Sequence, residues 1–291
     1  MLFNNTNITM KIHHKYPEIF TLPKFNLTVK GWSRGSQNTG FFIPEMKLLL
    51  DAQSNGGFDA EFILITHGHT DHSAGLPMRV TCINTNPQIF IPLESKQFLI
   101  DYINATFRMG YCDASYESKH NVMGVLPGEQ YTLKNGFNVK VYDMIHNVPC
   151  RGYGIRHTRT KLKIEYANTP KSEIISMRKN GVVITEEINE PILAYLTDTT
   201  HEIFKDPELF MYPYIMTECT FLPCREKDSL EKEIALANEA KHTHWNNIYP
   251  IIKEHPENTF ILIHFSNRYT DEELIKFRDS ITDVKNVIFA I

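Results

Sequence analysis

The chain has 291 residues, 42% hydrophobic and 22% charged, with 14 Gly and 15 Pro, which excludes a disordered, collagenous or repeat-dominated protein. Its 30 Lys and Arg stand against 34 Asp and Glu, and a net charge of −4 is not that of a general polyanion binder. No apolar run reaches the roughly 18 residues of a membrane span.

In chain order, short β-rich apolar runs predict strands at 27–30, 47–51, 61–66 and 88–91, and helical periodicity predicts a helix at 94–108. Strands follow at 137–145, 192–197 and 214–218, then a helix at 230–241 with Ser229 as its N-cap. A strand at 259–264, a helix at 271–280 capped by Thr270 and a strand at 286–290 complete the chain. The polar stretch 158–190 shows little hydrophobic periodicity and reads as an excursion from the core. Strands with helices between them predict a layered α/β protein, residues 1–291 forming one domain with an insertion at 151–190.

The N-terminal stretch has Asn, Lys and His where a signal peptide needs a continuous apolar core, so a cytoplasmic or nuclear location is expected. Five Cys without a CxxC pair fit free thiols, and the sequons at Asn7, Asn26 and Asn104 then read as chance matches. Charge is unevenly spread. Residues 151–179 carry Arg151, Arg156, Arg159, Lys161, Lys163, Lys171, Arg178 and Lys179 against Glu165 and Glu173, a local +6 that leaves −10 for the remainder. That surplus suits contact with a phosphate backbone through one surface, with Arg151, Arg156, Arg159, Lys161 and Lys163 as candidate phosphate contacts. A solvated mixed-charge strand and loop is the plainer alternative. The aromatics from Phe107 to Tyr116 read as packing and Cys219 as buried.

The run EFILIT leads straight into His67-Gly68-His69-Thr70-Asp71-His72, an HxHxDH pattern of three imidazoles and a carboxylate in six residues. At a sharp turn after a strand, His67 and His69 converge on one cation while Asp71 and His72 turn toward a second. Such ligands suit Zn²⁺ and, by ligand type, Mn²⁺ or Fe²⁺. Two metals need further ligands at other strand ends, and three residues fit. His146 follows FNVKVYDMI, Asp198 follows ILAYLT, where a carboxylate can bridge both ions, and His264 follows TFILI. The histidines His13, His14, His120, His157, His201 and His255 read as surface or structural.

THGHTDH followed by a lone strand-end His, Asp and His resembles the metallo-β-lactamase superfamily, and more finely its transfer RNA 3′-processing branch, the ribonuclease Z family. Asp51 in LLLDA is similar to the first motif of that family and His67 to His72 to the second. HNVPCRGY, beginning at His146, resembles the third motif, H-x-V-x-S-x-G-Y, and Thr197-Asp198-Thr199 resembles G-D-T with Thr in place of Gly. LIHFSNRY, around His264, is close to L-x-H-F-S-x-R-Y and is the most branch-specific match. Thr217-Glu218-Cys219-Thr220-Phe221 resembles H-E-A-T-F, and Lys241-His242-Thr243-His244 resembles a later H-x-T segment. The likeness spans roughly residues 27 to 290 and is closest to short, plant-like members. Bacterial members carry a long Gly/Pro-rich arm between the third and fourth motifs. Here the basic stretch takes that place and only 52 positions separate His146 from Asp198.

The resemblance implies a metallo-β-lactamase αβ/βα four-layer sandwich with two zinc ions at the sheet edge. It assigns His67, His69, His146 and Asp198 to one ion and Asp71, His72, Asp198 and His264 to the other. It further implies a zinc-dependent endoribonuclease that removes the 3′ trailer from transfer RNA precursors and leaves a 3′-hydroxyl, with Asp71, Glu218 and His242 as catalytic residues. In that scheme a metal-bridged hydroxide attacks phosphorus, and His242, oriented by Glu218, protonates the departing ribose oxygen; His244 is the other residue that could hold the acid's place. The implied partners are precursor transfer RNA and a second copy of the chain, with no membrane. Two alternatives stand beside this: a dinuclear hydrolase of the same fold acting on a small phosphodiester or thioester, and an inactive RNA-binding subunit.

Overall fold

The computed structural model describes residues 18–53, 59–81, 86–117, 119–223 and 229–291. His13, His14 and the sequon at Asn7 lie outside the described residues. The first sheet runs β1 (Glu18–Leu22), β2 (Leu27–Arg34), β3 (Asn38–Ile43), β4 (Leu48–Leu50), β5 (Phe62–Leu64), β6 (Gln88–Pro92) and β7 (Asn121–Val125), in that spatial order. Its first four strands form an antiparallel meander, and from β4 onward the pairing is parallel. The second sheet repeats the plan with β8 (Gln130–Thr132), β9 (Phe137–Asp143), β10 (Arg151–Leu162), β11 (Thr185–Leu196), β12 (Tyr214–Glu218), β13 (Thr259–Ile263) and β14 (Val287–Phe289). Here too four antiparallel strands lead into parallel ones.

Alternation along the strands builds the layers. Leu48 and Leu50 of β4 face inward with Phe41, Leu64, Tyr153, Tyr195, Met216 and Ile261 in the core between the two sheets. Leu49 faces outward with Ile63, Ile89 and Ile91, under α2 (Leu76–Thr81) and α3 (Lys96–Tyr111). On the other side, Ile215, Phe260 and Leu262 pack beneath α6 (Trp245–Glu254) and α7 (Asp271–Ser280) through Trp245, Ile248, Ile252 and Leu274. The result is helix, sheet, sheet, helix.

Helices α5 (Leu230–Glu239) and α7 begin at Ser229 and Thr270, each accepting a hydrogen bond from the third residue of its helix, as expected. The excursion at 158–190 proves to be regular. β10 and β11 stay paired from Arg156↔Pro191 to Leu162↔Thr185, past a register shift at Ile155/Arg156, and α4 (Lys171–Lys179) lies at the tip without a buried residue. Most residues of this ribbon are exposed, so its strands needed no apolar alternation and gave no strand signal. Among the described residues no helix is long and apolar enough to cross a membrane.

Candidate active site

Parallel strands deliver most of the chemistry, their C-terminal ends opening onto one crevice. Asp51 directly follows β4, Asp198 lies two residues beyond β11, Glu218 is the last residue of β12 and His264 directly follows β13. β5 leads through Ile65 and Thr66 to His67 and His69, and the short helix α1 (Thr70–Ser73) then presents Asp71 and His72. Asp51 and His264 both adopt left-handed backbone, with φ of 54° and 60°.

Two clusters of ligand atoms form. In the first, His67 Nε2 lies 3.0 Å from His69 Nδ1 and 3.6 Å from Asp198 Oδ2. His146 Nε2 lies 3.5 Å from His69 Nδ1 and 3.9 Å from the same Asp198 oxygen. In the second, His72 Nε2 and His264 Nε2 are 3.4 Å apart, with Asp71 Oδ2 at 3.7 and 3.4 Å from them. The other oxygen of Asp198, Oδ1, is 3.4 Å from both of these rings. Zinc bonds of 2.0–2.1 Å place tetrahedral ligands about 3.3 Å apart, so these spacings fit cation-sharing donors. Asp198 Oδ1 is buried and accepts no hydrogen bond, which a cation would remedy. All seven metal-ligand candidates are thus brought together, and Asp198 turns one oxygen to each group. Asp198, His242 and His264 also bring ligand atoms within 4.8 Å of one another.

Charge states follow from the packing. Burial, reinforced by His72, pushes the His67 imidazole well below its ordinary pKa; burial also lowers His69 and His146. Burial thus favours their neutral forms, which have lone pairs to offer. Burial works against the charged form of Asp198, but His264, His72 and His67 outweigh it and hold the carboxyl well below the usual range. His72, buried, is nonetheless raised to about 9 by Asp198 and Asp51.

The rings are fixed from behind. Asp51 accepts from His72 Nδ1 at 2.9 Å, from Tyr195 Oη at 2.8 Å and from the Thr66 amide at 2.8 Å. His146 Nδ1 donates to the Lys241 carbonyl at 3.2 Å. At Gly35 an added Cβ would lie 3.3 Å from Cε1 of His264, so glycine leaves room for that ring.

Beside the second cluster, His242 Nδ1 donates to Glu218 Oε1 at 2.8 Å. Glu218 is fully buried and also accepts from the amides of Thr199 and Thr243, at 2.7 and 3.0 Å. Burial disfavours the charged form of His242, but Glu218, then Asp198 and Asp71, prevail and raise it to about 9. Its ring stacks at 5.6 Å on that of His264. His244 instead caps α6, accepting from the Asn246 amide, and its Nε2 faces Glu233 at 3.9 Å.

The basic stretch folds differently from its sequence appearance. Arg151 is not a surface contact: it is buried, donating to Asp143 at 2.8 Å and Glu94 at 2.7 Å. Arg156 donates to Tyr212 Oη and Glu208, and Arg159 to Glu190. Register then lays Lys161 opposite Glu186 and Thr160 opposite Glu187. From 158 to 190 six basic residues meet five acidic ones, so the ribbon is nearly neutral as folded. Lys161 is exposed and Lys163 half-buried. The Phe107 and Tyr116 rings stack in parallel at 5.1 Å as packing, and Cys219 is buried.

Thr66 and Thr220 stand in the sequence only as members of THGHTDH and TECTF, and Tyr195 only within the strand ILAYLT; nothing in those segments marks the three as supports of the site.

No family model matches the chain. The chloroplastic tRNase Z TRZ2 of Arabidopsis thaliana is 32% identical over 255 residues, covering 84% of this chain and 69% of that protein. The chain belongs to the ribonuclease Z family. The fold agrees with that of the family: human short-form tRNase Z superposes with a TM-score of 0.55 at 16% identity, over 89% of this chain and 94% of that one. The metallo-β-lactamase fold protein YhfI of Bacillus subtilis gives the same TM-score at 14% identity, over 91% and 96%. The four-layer sandwich is thus the metallo-β-lactamase fold.

Proposed function

We propose that the chain is a zinc-dependent endoribonuclease that cuts the 3′ trailer from transfer RNA precursors and leaves a 3′-hydroxyl. The observation that carries this reading is the pair of clusters sharing Asp198, with the buried Glu218–His242 pair alongside. His67, His69, His146 and Asp198 would hold one ion, and Asp71, His72, Asp198 and His264 the other. Ions held there supply water activation near neutral pH and polarisation of a phosphoryl oxygen. A ribose 3′-oxygen is a poor leaving group and needs a proton. His242 turns Nδ1 to Glu218 and keeps Nε2 free to protonate that oxygen, while His244 is engaged as a helix cap. Asp71, with Oδ2 beside His72 and His264, would help hold the second ion and so place the water activation that the ion would supply.

RNA binding by the β10–β11 ribbon falls to Lys161 and Lys163, with Arg159 shared between Glu190 and a phosphate. A homodimer belongs to the same proposal: Phe98 and Met109 on α3 are 75% and 76% exposed, with Tyr102 on the same stripe. Phe98→Glu is expected to shift the protein to monomer in sedimentation.

The decisive assay uses purified protein, end-labelled precursor transfer RNA and mapping of the cut. A single cut after the discriminator base is expected. Hydrolysis of small phosphodiesters or thioesters alone would put the other dinuclear hydrolase in its place, and binding without cleavage the inactive subunit.

A further inference from the structure

Each cluster rests on a threonine used in the same way. A threonine hydroxyl has one proton to give and two lone pairs. Thr220 Oγ1 is buried, 2.6 Å from Glu218 Oε2 and 3.0 Å from His264 Nδ1. Its proton goes to the carboxylate, the stronger acceptor at the shorter distance. His264 Nδ1 must then be the donor, which leaves its lone pair on Nε2, toward Asp71 and Asp198. The other sheet repeats the device. Thr66 Oγ1 lies 3.0 Å from both oxygens of Asp51 and 3.1 Å from His67 Nδ1. His67 Nε2 is thereby left with the lone pair that faces His69 and Asp198.

Both threonines are buried, one directly before His67 and the other two residues after Glu218. Their carboxylates are not isolated either. Asp51 also holds His72, and Glu218 also holds His242. Asp51 therefore ties a ring of the first cluster to one of the second, and Glu218 ties the second cluster to the proton donor.

We propose that Thr66 and Thr220 are positioning residues, one for each cluster, which fix the tautomers of His67 and His264 so that Nε2 is presented to a cation. The inference rests on the proposed dinuclear site and deepens it. Removing the hydroxyl leaves a buried N–H without its acceptor and allows the proton to move to the ligand nitrogen, where it competes with metal.

The test measures zinc affinity by chelator competition, together with melting of the metal-free protein. His69→Ala disables the first cluster and Asp71→Ala the second, so that each background reports one ion. In the His69→Ala background, Thr220→Val is expected to weaken the remaining ion about 10–100-fold and Thr66→Val to leave it unchanged. In the Asp71→Ala background the order reverses. Thr66→Ser and Thr220→Ser, which keep the hydroxyl, retain the parent affinity. Valine variants that bind both ions as their parents do would overturn the proposal, as would serine variants no better than valine. Equal weakening of both ions by either valine would also overturn it, since that reports a general structural loss. A wild-type chain that takes up no zinc removes the dinuclear reading and this inference together. A wild type that takes up two ions beside unaffected valine variants removes this inference alone.

Discussion

The floor of the crevice and the β10–β11 ribbon differ in how many constraints each side chain obeys. On the floor, Asp51 accepts from His72, Tyr195 and Thr66, and Glu218 from His242, the Thr220 hydroxyl and three amides. On the ribbon, Arg159 has one carboxylate partner, Lys161 is exposed and α4 buries nothing. Chemistry needs atoms held to within tenths of an ångström, whereas phosphate contacts need only charge at the right reach. Substitutions on the floor should therefore act steeply and selectively, and those on the ribbon gradually and in sum.

The largest effect is expected at Asp198. Asp198→Ala removes the carboxylate that faces both clusters, so elemental analysis should find both ions depleted. Activity should fall beyond the roughly 10²–10⁴-fold that a general acid contributes. A variant that kept one ion at full occupancy would show that the clusters are independent.

Next comes His242→Ala, expected to retain both ions and RNA affinity while slowing single-turnover cleavage by about 10²–10⁴-fold. A nitrophenolate diester departs without a proton and should be far less affected. Equal losses on the two substrates would reduce His242 to a positional role. The same contrast appears in pH. His242 has a raised pKa, so the donor form is present below it and is lost as pH rises through it. The alkaline fall in RNA cleavage should lie at or below about 9, because bound cations offset the pull of Asp198 and Asp71. The nitrophenolate diester should lack that fall.

Arg151→Ala separates sequence position from location. Loss of its bonds to Asp143 and Glu94 should cost about 1–3 kcal/mol in denaturant unfolding and leave the salt dependence of RNA binding unchanged. The gentlest change is Lys161→Glu with Lys163→Glu. It should weaken precursor binding and lower the slope of log K against log salt by about 0.9 for each lost duplex contact, without altering small-diester hydrolysis. An unchanged slope would take the ribbon out of RNA binding.

What was legible in the sequence follows the same division. The ligands stood out because apolar strands deliver them: EFILIT ends beside His67 and TFILI beside His264. The strand at Tyr214–Glu218 and the helix at Asp271–Ser280 likewise match their predicted limits, since each combines a buried apolar pattern with a clear end. The charge balance of the ribbon can be counted once its limits at 158 and 190 are known, but the pairing of its charges was hidden, because it depends on which residue of β11 lies across from which residue of β10. Arg151 was hidden for a related reason: Glu94 is 57 positions away, and only folding brings the two together. Thr66, Tyr195 and Thr220 are ordinary strand-type residues until a histidine or carboxylate is placed against them.

The left-handed backbone at Asp51 and His264 has a consequence for how such a chain can drift. Glycine takes this conformation freely, whereas a residue with a Cβ gives up about 1–2 kcal/mol there. Backbone preference alone therefore favours glycine at both positions, yet glycine at one removes the carboxylate that holds His72 and at the other removes a ring of the second cluster. Folding and chemistry pull these two positions in opposite directions. A lineage released from the reaction would be expected to lose these two residues early, by relaxation rather than by damage.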